Sequence, residues 1–344
     1  MTVWKGARVL VTGGASFIGS HLADALVAQG ADVRIADDLS SGKLENLAGV
    51  RARVDFREGD LRDRVFARES IAGRDVVFHL AACHGGRGFI DTHPADCAAN
   101  MVLDGVVFDE AHRARVDRVC FASSACVYPV QRQAPQAAGH AVYLKEEWAD
   151  VFKEGCASSD GEYGWAKMMG EMSLRAYHKQ YGLKSVSCRL FTAYGERENE
   201  THAVIALIAK AFVRMDPYEI WGDGQQDRNF TYVSDIVEGL MRAAERIDDG
   251  SSINVGTAEH VKIVDLVHLI CELMHFTPRS FHFDASRPVG VYSRAADLTR
   301  ARERLGWEPT MTTREGVRRT IDWYVKTHEA DAVAEKLGLL LTER

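Results

Sequence analysis

No run of about 18 apolar residues occurs in the chain, so no membrane-spanning helix and no membrane partner are expected. The opening stretch MTVWKGARVLVTGG enters a strand at once and lacks the apolar segment of a secretory leader. The cysteines (Cys83, Cys97, Cys120, Cys126, Cys156, Cys188 and Cys271) are odd in number and never spaced as CxxC. That excludes a disulfide framework and a zinc site, and fits reduced thiols in the cytoplasm; no metal is expected. Basic residues are in the minority, and a net charge of −7 is the wrong sign for a nucleic-acid binder. Internal repeats, low-complexity tracts and long linkers are also lacking, so any two lobes of these 344 residues must share an interface. A charged fraction of 26% and a hydrophobic fraction of 46% are those of an ordinary globular protein.

The first half of the chain alternates short apolar runs with helical patterns. Strands are predicted at 7–13, 32–37, 54–60, 75–82, 118–124 and 184–190, with helices after Ile18, across 95–114 and across 163–181. This alternation implies an α/β fold, a Rossmann-type doubly wound parallel sheet covered on both faces. After Leu190 the rhythm breaks: helices are predicted near 203–215, 263–275 and 313–328 among irregular segments. A smaller C-terminal substrate-binding lobe is therefore expected from 191–229 and 257–344. The chain would return once to the sheet domain (1–190) through about 230–256.

VTGGASFIGSHLADAL places Gly13, Ser16, Phe17, Ile18 and Gly19 between a strand and a helix, where backbone N–H groups can bind a pyrophosphate. Asp37, at the end of the second strand, stands where a carboxylate can bind a ribose 2′-hydroxyl and repel a 2′-phosphate, which favours NAD over NADP. Without a ligand the same pattern is a tight turn. The order strand, turn, helix, strand, acid favours the cofactor.

TGGxxFIG, EGDLRD, HLAA, SSACVYP, YGWAK and YGER, in this order, resemble the extended short-chain dehydrogenase/reductases that epimerise, dehydrate or reduce nucleotide sugars, over almost the whole chain. The family's middle glycine is Ser16 here, whose Cβ is expected to push the pyrophosphate outward. The resemblance places Asp60 and Leu61 beside the adenine, and Ala81 and Ala82 along the cofactor. It makes Tyr163 the acid/base for hydride transfer at a sugar hydroxyl. Lys167, one helical turn on, binds the nicotinamide ribose and holds the tyrosine's pKa down. Ser124 hydrogen-bonds the same sugar oxygen, and a homodimer through the helices near 95–114 and 163–181 is implied.

Two residues past that serine lies Cys126. In this family a threonine here accompanies 4-epimerisation and an Asp-Glu pair accompanies 4,6-dehydration. Ala125–Cys126 cannot do the dehydratase's work in that way. A thiol with an ordinary pKa of roughly 8.5 is a credible base for a carbon made acidic by a neighbouring ketone. Epimerisation needs a second acid on the opposite ring face; His202, heading a helix and with an ordinary pKa of about 6.5, is the candidate. The pair resembles that of the GDP-fucose synthases, while SSAC, the loop HGGRGFI and WGDG followed by Arg228 resemble the GDP-mannose 3,5-epimerases. The bland alternatives are a small buried hydrophobe for Cys126 and a helix's first turn for His202.

By the same resemblance Arg228 and Arg294 bind the substrate's diphosphate, for which the planar guanidinium is suited. Gly86 and Arg87 cross over the sugar, and Thr192 follows the sixth strand. The expectation is a nucleotide-sugar epimerase with NAD as cofactor and a nucleotide-diphosphate sugar as partner. A 3,5-epimerase, inverting C3, C5 or both, stands first, with a 4-epimerase as the alternative. An epimerase-reductase or a silent NAD-binding protein fits less well.

Overall fold

The computed structural model describes residues 3–134, 141–153 and 158–341. Seven strands form the central sheet: β1 (Arg8–Thr12), β2 (Asp32–Asp37), β3 (Val54–Glu58), β4 (Val76–His79), β5 (Arg118–Ser124), β6 (Lys184–Leu190) and β7 (Ser252–Val255). Their spatial order is β7-β6-β5-β4-β1-β2-β3, and every neighbouring pair is parallel. Such a sheet must be covered on both faces, and β1 and β2 are accordingly buried at every residue after the first. Alternate residues enter opposite layers, as the pleat requires. Val9, Val11, Phe78 and Cys120 pack with Leu22, Leu26 and Leu240 on one side. Leu10, Val77, Val119 and Phe121 pack with Phe108 and Leu174 on the other.

The six predicted strands are present, three of them with the expected bounds, and SSINVG returns to the sheet as β7. The predicted helix at 95–114 is two, Pro94–Ala98 and Asn100–Arg113. At the break the Asn100 side chain exchanges two hydrogen bonds, 2.7 and 2.8 Å, with the backbone of Cys83. Helices at Arg64–Ile71, Arg87–Thr92, Val233–Arg246, Thr299–Leu305 and Ala330–Leu340 were not predicted. Beside the sheet, Tyr143–Leu144, Asp227–Arg228, Val261–Lys262 and Ser293–Ala296 form a four-stranded layer, and Tyr218–Trp221 pairs with Phe281–Asp284. Among the described residues no helix is long and apolar enough to cross a membrane, and no group of three or more His, Cys, Asp or Glu side chains is arranged to hold a metal ion. Among the described residues no cysteine is in a disulfide, and Cys156 lies outside them.

Strand order reverses between β1 and β4: β2 and β3 follow on one side, β5 to β7 on the other. A cleft opens outside the carboxyl ends of strands at such a point. The exit of β4 is fixed by a buried relay. Thr12 Oγ1 accepts from the N–H groups of Leu80 and Ala81 at 3.1 and 3.0 Å and lies 2.8 Å from His79 Nδ1. His79 Nε2 reaches Asp104 at 3.0 Å.

Candidate active site

Two recesses meet at that reversal, one of about 710 Å³ and one of about 270 Å³, sharing Ser16, Ser41, Leu80, Ala82 and His84. Every residue singled out from the sequence lines one or both. The smaller holds Gly13, Asp37, Asp60, Leu61 and Ala81. The larger holds Phe17, Ile18, Gly19, Gly86, Arg87, Ser124, Cys126, Tyr163, Lys167, Thr192, His202, Arg228 and Arg294.

The glycine loop fits a dinucleotide. Gly13 has φ +67°, and a Cβ there would lie 2.9 Å from the Ala81 backbone; one at Gly19 would lie 2.1 Å from the Gly13 carbonyl. Ser16 has an ordinary φ of −85°, so its backbone does not demand glycine. Its hydroxyl donates to the Gly13 carbonyl at 2.6 Å, which ties it back onto the loop. It makes no cap bond to the helix Phe17–Ala28, whose first N–H groups thus keep their capacity for an anion. Asp37 Oδ2 accepts from Ala15 N–H and Oδ1 from Leu39 N–H, both at 2.9 Å, so this carboxylate also shapes the loop. Burial pushes its pKa up, against those two hydrogen bonds. Asp60 is held by Arg62 at 2.8 Å.

The helix Gly161–Tyr181 carries Tyr163 and Lys167 into the larger recess. Its rotation is fixed from below by Glu171, on the same face, which accepts from Ser123 at 2.5 Å and from Arg189 at 2.8 Å. Gly164 lets the helix seat on the cysteine segment, since a Cβ there would lie 2.3 Å from the Cys126 carbonyl. The expectation that Lys167 lowers the tyrosine's pKa is corrected: burial pushes the phenol up, Cys126 and Asp104 push it further, and Ser124 opposes only weakly. The Lys167 ammonium lies 5.9 Å from the phenol ring centre and does not offset this. Burial lowers the pKa of Lys167 itself, opposed by Asp104.

Cys126, unlike Cys120 and Cys188 buried in the sheet, is half-exposed to the recess. Its N–H donates to Ser124 Oγ at 3.1 Å, and its sulfur accepts from Arg294 Nη1 at 3.6 Å. His202 is the N-cap residue of the helix Ala203–Phe212. Its ordinary pKa does not survive: burial pushes it down to about 4, so the imidazole is neutral at neutral pH and not poised between two states. Glu198 lies 3.5 Å from its Nδ1, and burial pushes that carboxyl well above the usual range. Burial thus favours the uncharged form of both groups.

The arginines converge from three elements. Asp160 bridges Arg87 at 2.9 Å and Arg294 at 3.3 Å; burial opposes its ionisation, but Arg294 and Arg87 together hold its pKa below the usual range. Arg87 also holds Asp91, at 3.0 Å, so it is less free to reach a sugar than the sequence suggested. Arg228 has no carboxylate partner among the described residues, and donates instead to the carbonyls of Asp227 and Val289 at 2.7 Å. Burial, and then Arg294, push its pKa down to about 10. A half-buried guanidinium beside another cation, held only by carbonyls, is a site for an anion. Gly86 packs on the turn at Thr201: its N–H donates to Thr201 Oγ1 at 3.2 Å, and a Cβ would lie 1.6 Å from the Thr201 carbonyl.

Sequence reasoning missed Asp160, Glu198 and His84. Asp160 was legible as the N-cap acid ahead of YGWAK. His84 opens the loop HGGRGFI, which drew attention for its glycines and arginine. Nothing local marks Glu198.

A doubly wound sheet, a glycine loop at its reversal and a Ser/Tyr/Lys group facing it define a nucleotide-cofactor enzyme of the short-chain dehydrogenase type. Residues 9–256 match the NAD dependent epimerase/dehydratase family, and the chain belongs to it; NAD is its cofactor. The chain is 32% identical over 321 residues to a GDP-mannose 3,5-epimerase of Oryza sativa, covering 92% of this chain and 81% of that one. It is 30% identical over 322 residues to a UDP-glucose 4-epimerase of Mycolicibacterium smegmatis, covering 92% and 98%. Among solved structures, a UDP-glucose 4-epimerase from Thermotoga maritima with UDP-glucose superposes with TM-score 0.82 at 29% identity, covering 93% of this chain and 99% of that one.

Proposed function

We propose that the protein is a nucleotide-sugar epimerase that oxidises C4 of a GDP-sugar transiently and inverts C3, C5 or both. The observation that carries this reading is the Cys126 sulfur, half-exposed in the Tyr163 cleft and hydrogen-bonded by Arg294. The GDP-mannose 3,5-epimerase relative supports the choice of substrate class. Residues 1–190 with 230–256 form the NAD-binding domain, and 191–229 with 257–344 the nucleotide-sugar lobe. Arg228 and Arg294 take the diphosphate.

When bound in the recess lined by Gly13, Asp37 and Asp60, NAD⁺ would supply a reversible hydride acceptor for C4 and a positive charge that favours the phenolate. Tyr163 and Ser124 hold the proton at the C4 oxygen; Lys167, one helical turn on, holds the nicotinamide ribose. Once C4 is a ketone, the neighbouring C–H groups are acidic. A neutral His202 is ready to take a carbon proton. The Cys126 thiol delivers one to the other face, and the Arg294 guanidinium stabilises the negative charge that the sulfur then carries. This reverses the first assignment, in which the thiol was the base.

The 4-epimerase reading is favoured by the Mycolicibacterium and Thermotoga relatives. Incubation with GDP-mannose and UDP-glucose in heavy water separates the two. Deuterium at C3 or C5 of the GDP-sugar is expected; inversion of C4 of UDP-glucose with no deuterium uptake would establish the alternative.

A further inference from the structure

Inversion by two acids of different kinds leaves a problem that the pair cannot solve by itself. After one inversion the base carries a proton it took from carbon, and the acid lacks the one it gave. In the present case the products are a His202 imidazolium and a Cys126 thiolate. Burial disfavours the imidazolium strongly, since it drives the group's pKa down to about 4. Glu198, the carboxyl 3.5 Å away, is only 3% exposed and offers the proton no route to solvent. The next cycle waits until that proton leaves.

His84 stands beside both His202 and Tyr163. Its ring lies edge-on to His202, centroids 5.7 Å apart at 70°, and 6.2 Å from Tyr163. It is exposed, whereas His202 and Tyr163 are half-buried. It also lines both recesses, standing where the cofactor side and the sugar side of the cleft join. Both imidazoles line the larger recess, whose water can carry a proton between them.

We infer that His84 is a proton relay that resets the proposed epimerase after each inversion. The His202 imidazolium passes its proton to neutral His84, which releases a proton to solvent. The Cys126 thiolate takes one proton from solvent through the open cleft. One proton leaves and one enters, no electrons move, and the starting state of thiol and neutral imidazole is restored. His84 touches no reacting carbon. Its effect is on the return of the site, and thus on kcat for exchange more than on KM. The inference rests on the 3,5-epimerase reading.

The test uses the NAD-loaded protein, GDP-mannose and heavy water. His84→Ala, with His84→Gln as a companion of closer size, is assayed for deuterium uptake at C3 and C5 in dilute buffer and again with added free imidazole. Expected are a fall in exchange of about tenfold or more, its recovery by imidazole, and transient reduction of NAD within about twofold of wild type. Exchange unchanged in both variants overturns the relay. So does a loss that imidazole does not restore, or an equal loss in the hydride step, because those mark a structural role. If the wild-type protein takes up no deuterium at all, the parent reading fails, and the relay with it.

Discussion

Acidification probes the surroundings of His202 directly. An imidazole that titrates at about 6.5 in the unfolded chain and about 4 in the folded protein binds a proton between those values only after unfolding. Its contribution to stability is therefore complete above pH ~6.5 and is lost as pH falls toward about 4, below which both states are protonated. A gap of about 2.5 units at 1.36 kcal/mol per unit gives roughly 3 kcal/mol in all, of which about 2 kcal/mol is lost by pH ~5. The side chain is 23% exposed, so solvent screens this only in part. Glu198 acts in the opposite sense: its raised pKa gives stability that is complete below the unfolded value and lost as pH rises. Both effects are present in wild type, so the comparison must be with His202→Gln. Urea unfolding of the two proteins at pH values from about 7.5 to 5 should show wild type losing about 2 kcal/mol more than the variant. Parallel pH dependences, or a His202 resonance titrating near 6.5 by NMR, would refute the burial argument and restore an imidazole poised between donor and acceptor.

Replacing Cys126 with Ala should cut deuterium exchange at C3 and C5 by about 10²–10⁴-fold while transient reduction of NAD persists. Full epimerisation in that variant would leave the sulfur without a role. Gly19→Ala places a Cβ 2.1 Å from the Gly13 carbonyl, so calorimetry should find NAD binding weakened by at least about tenfold. Arg228→Ala should raise KM for the nucleotide sugar by about ten- to a hundredfold with NAD affinity unchanged, since the guanidinium faces only the larger recess. Val102 and Trp165, 57% and 40% exposed, lie on the two helices expected to pair between copies; Val102→Asp with Trp165→Asp should shift light scattering from dimer to monomer.

Periodicity made most of the sheet legible, because a strand buried on both faces leaves an unbroken apolar run such as RVLVT or RVCFASS. The helix Val233–Arg246 escaped notice although its apolar residues recur at helical spacing, because RNFTYVSD ahead of it reads as a strand. Ser124, Tyr163 and Lys167 were found through motifs that sit at fixed offsets on one strand and one helix. His202 was found too, yet its charge state was misjudged: burial by residues distant in sequence sets the pKa, and a linear chain does not display burial. The same holds for Glu198 and for Asp160, whose meaning lies in the two arginines, 73 and 134 positions away, that it joins.

The contact of Gly86 with Thr201 joins two stretches of chain that the sequence sets 115 residues apart. With a bare backbone pressed on a carbonyl, and a hydrogen bond beside it, the loop ahead of Arg87 and the turn ahead of Ala203 have no room to slide past each other. A sugar entering or leaving must do so with the pair acting as a single rigid jaw. Domain breathing that widened the cleft would then carry both histidines together, so that their mutual spacing stays constant whether the mouth stands open or shut.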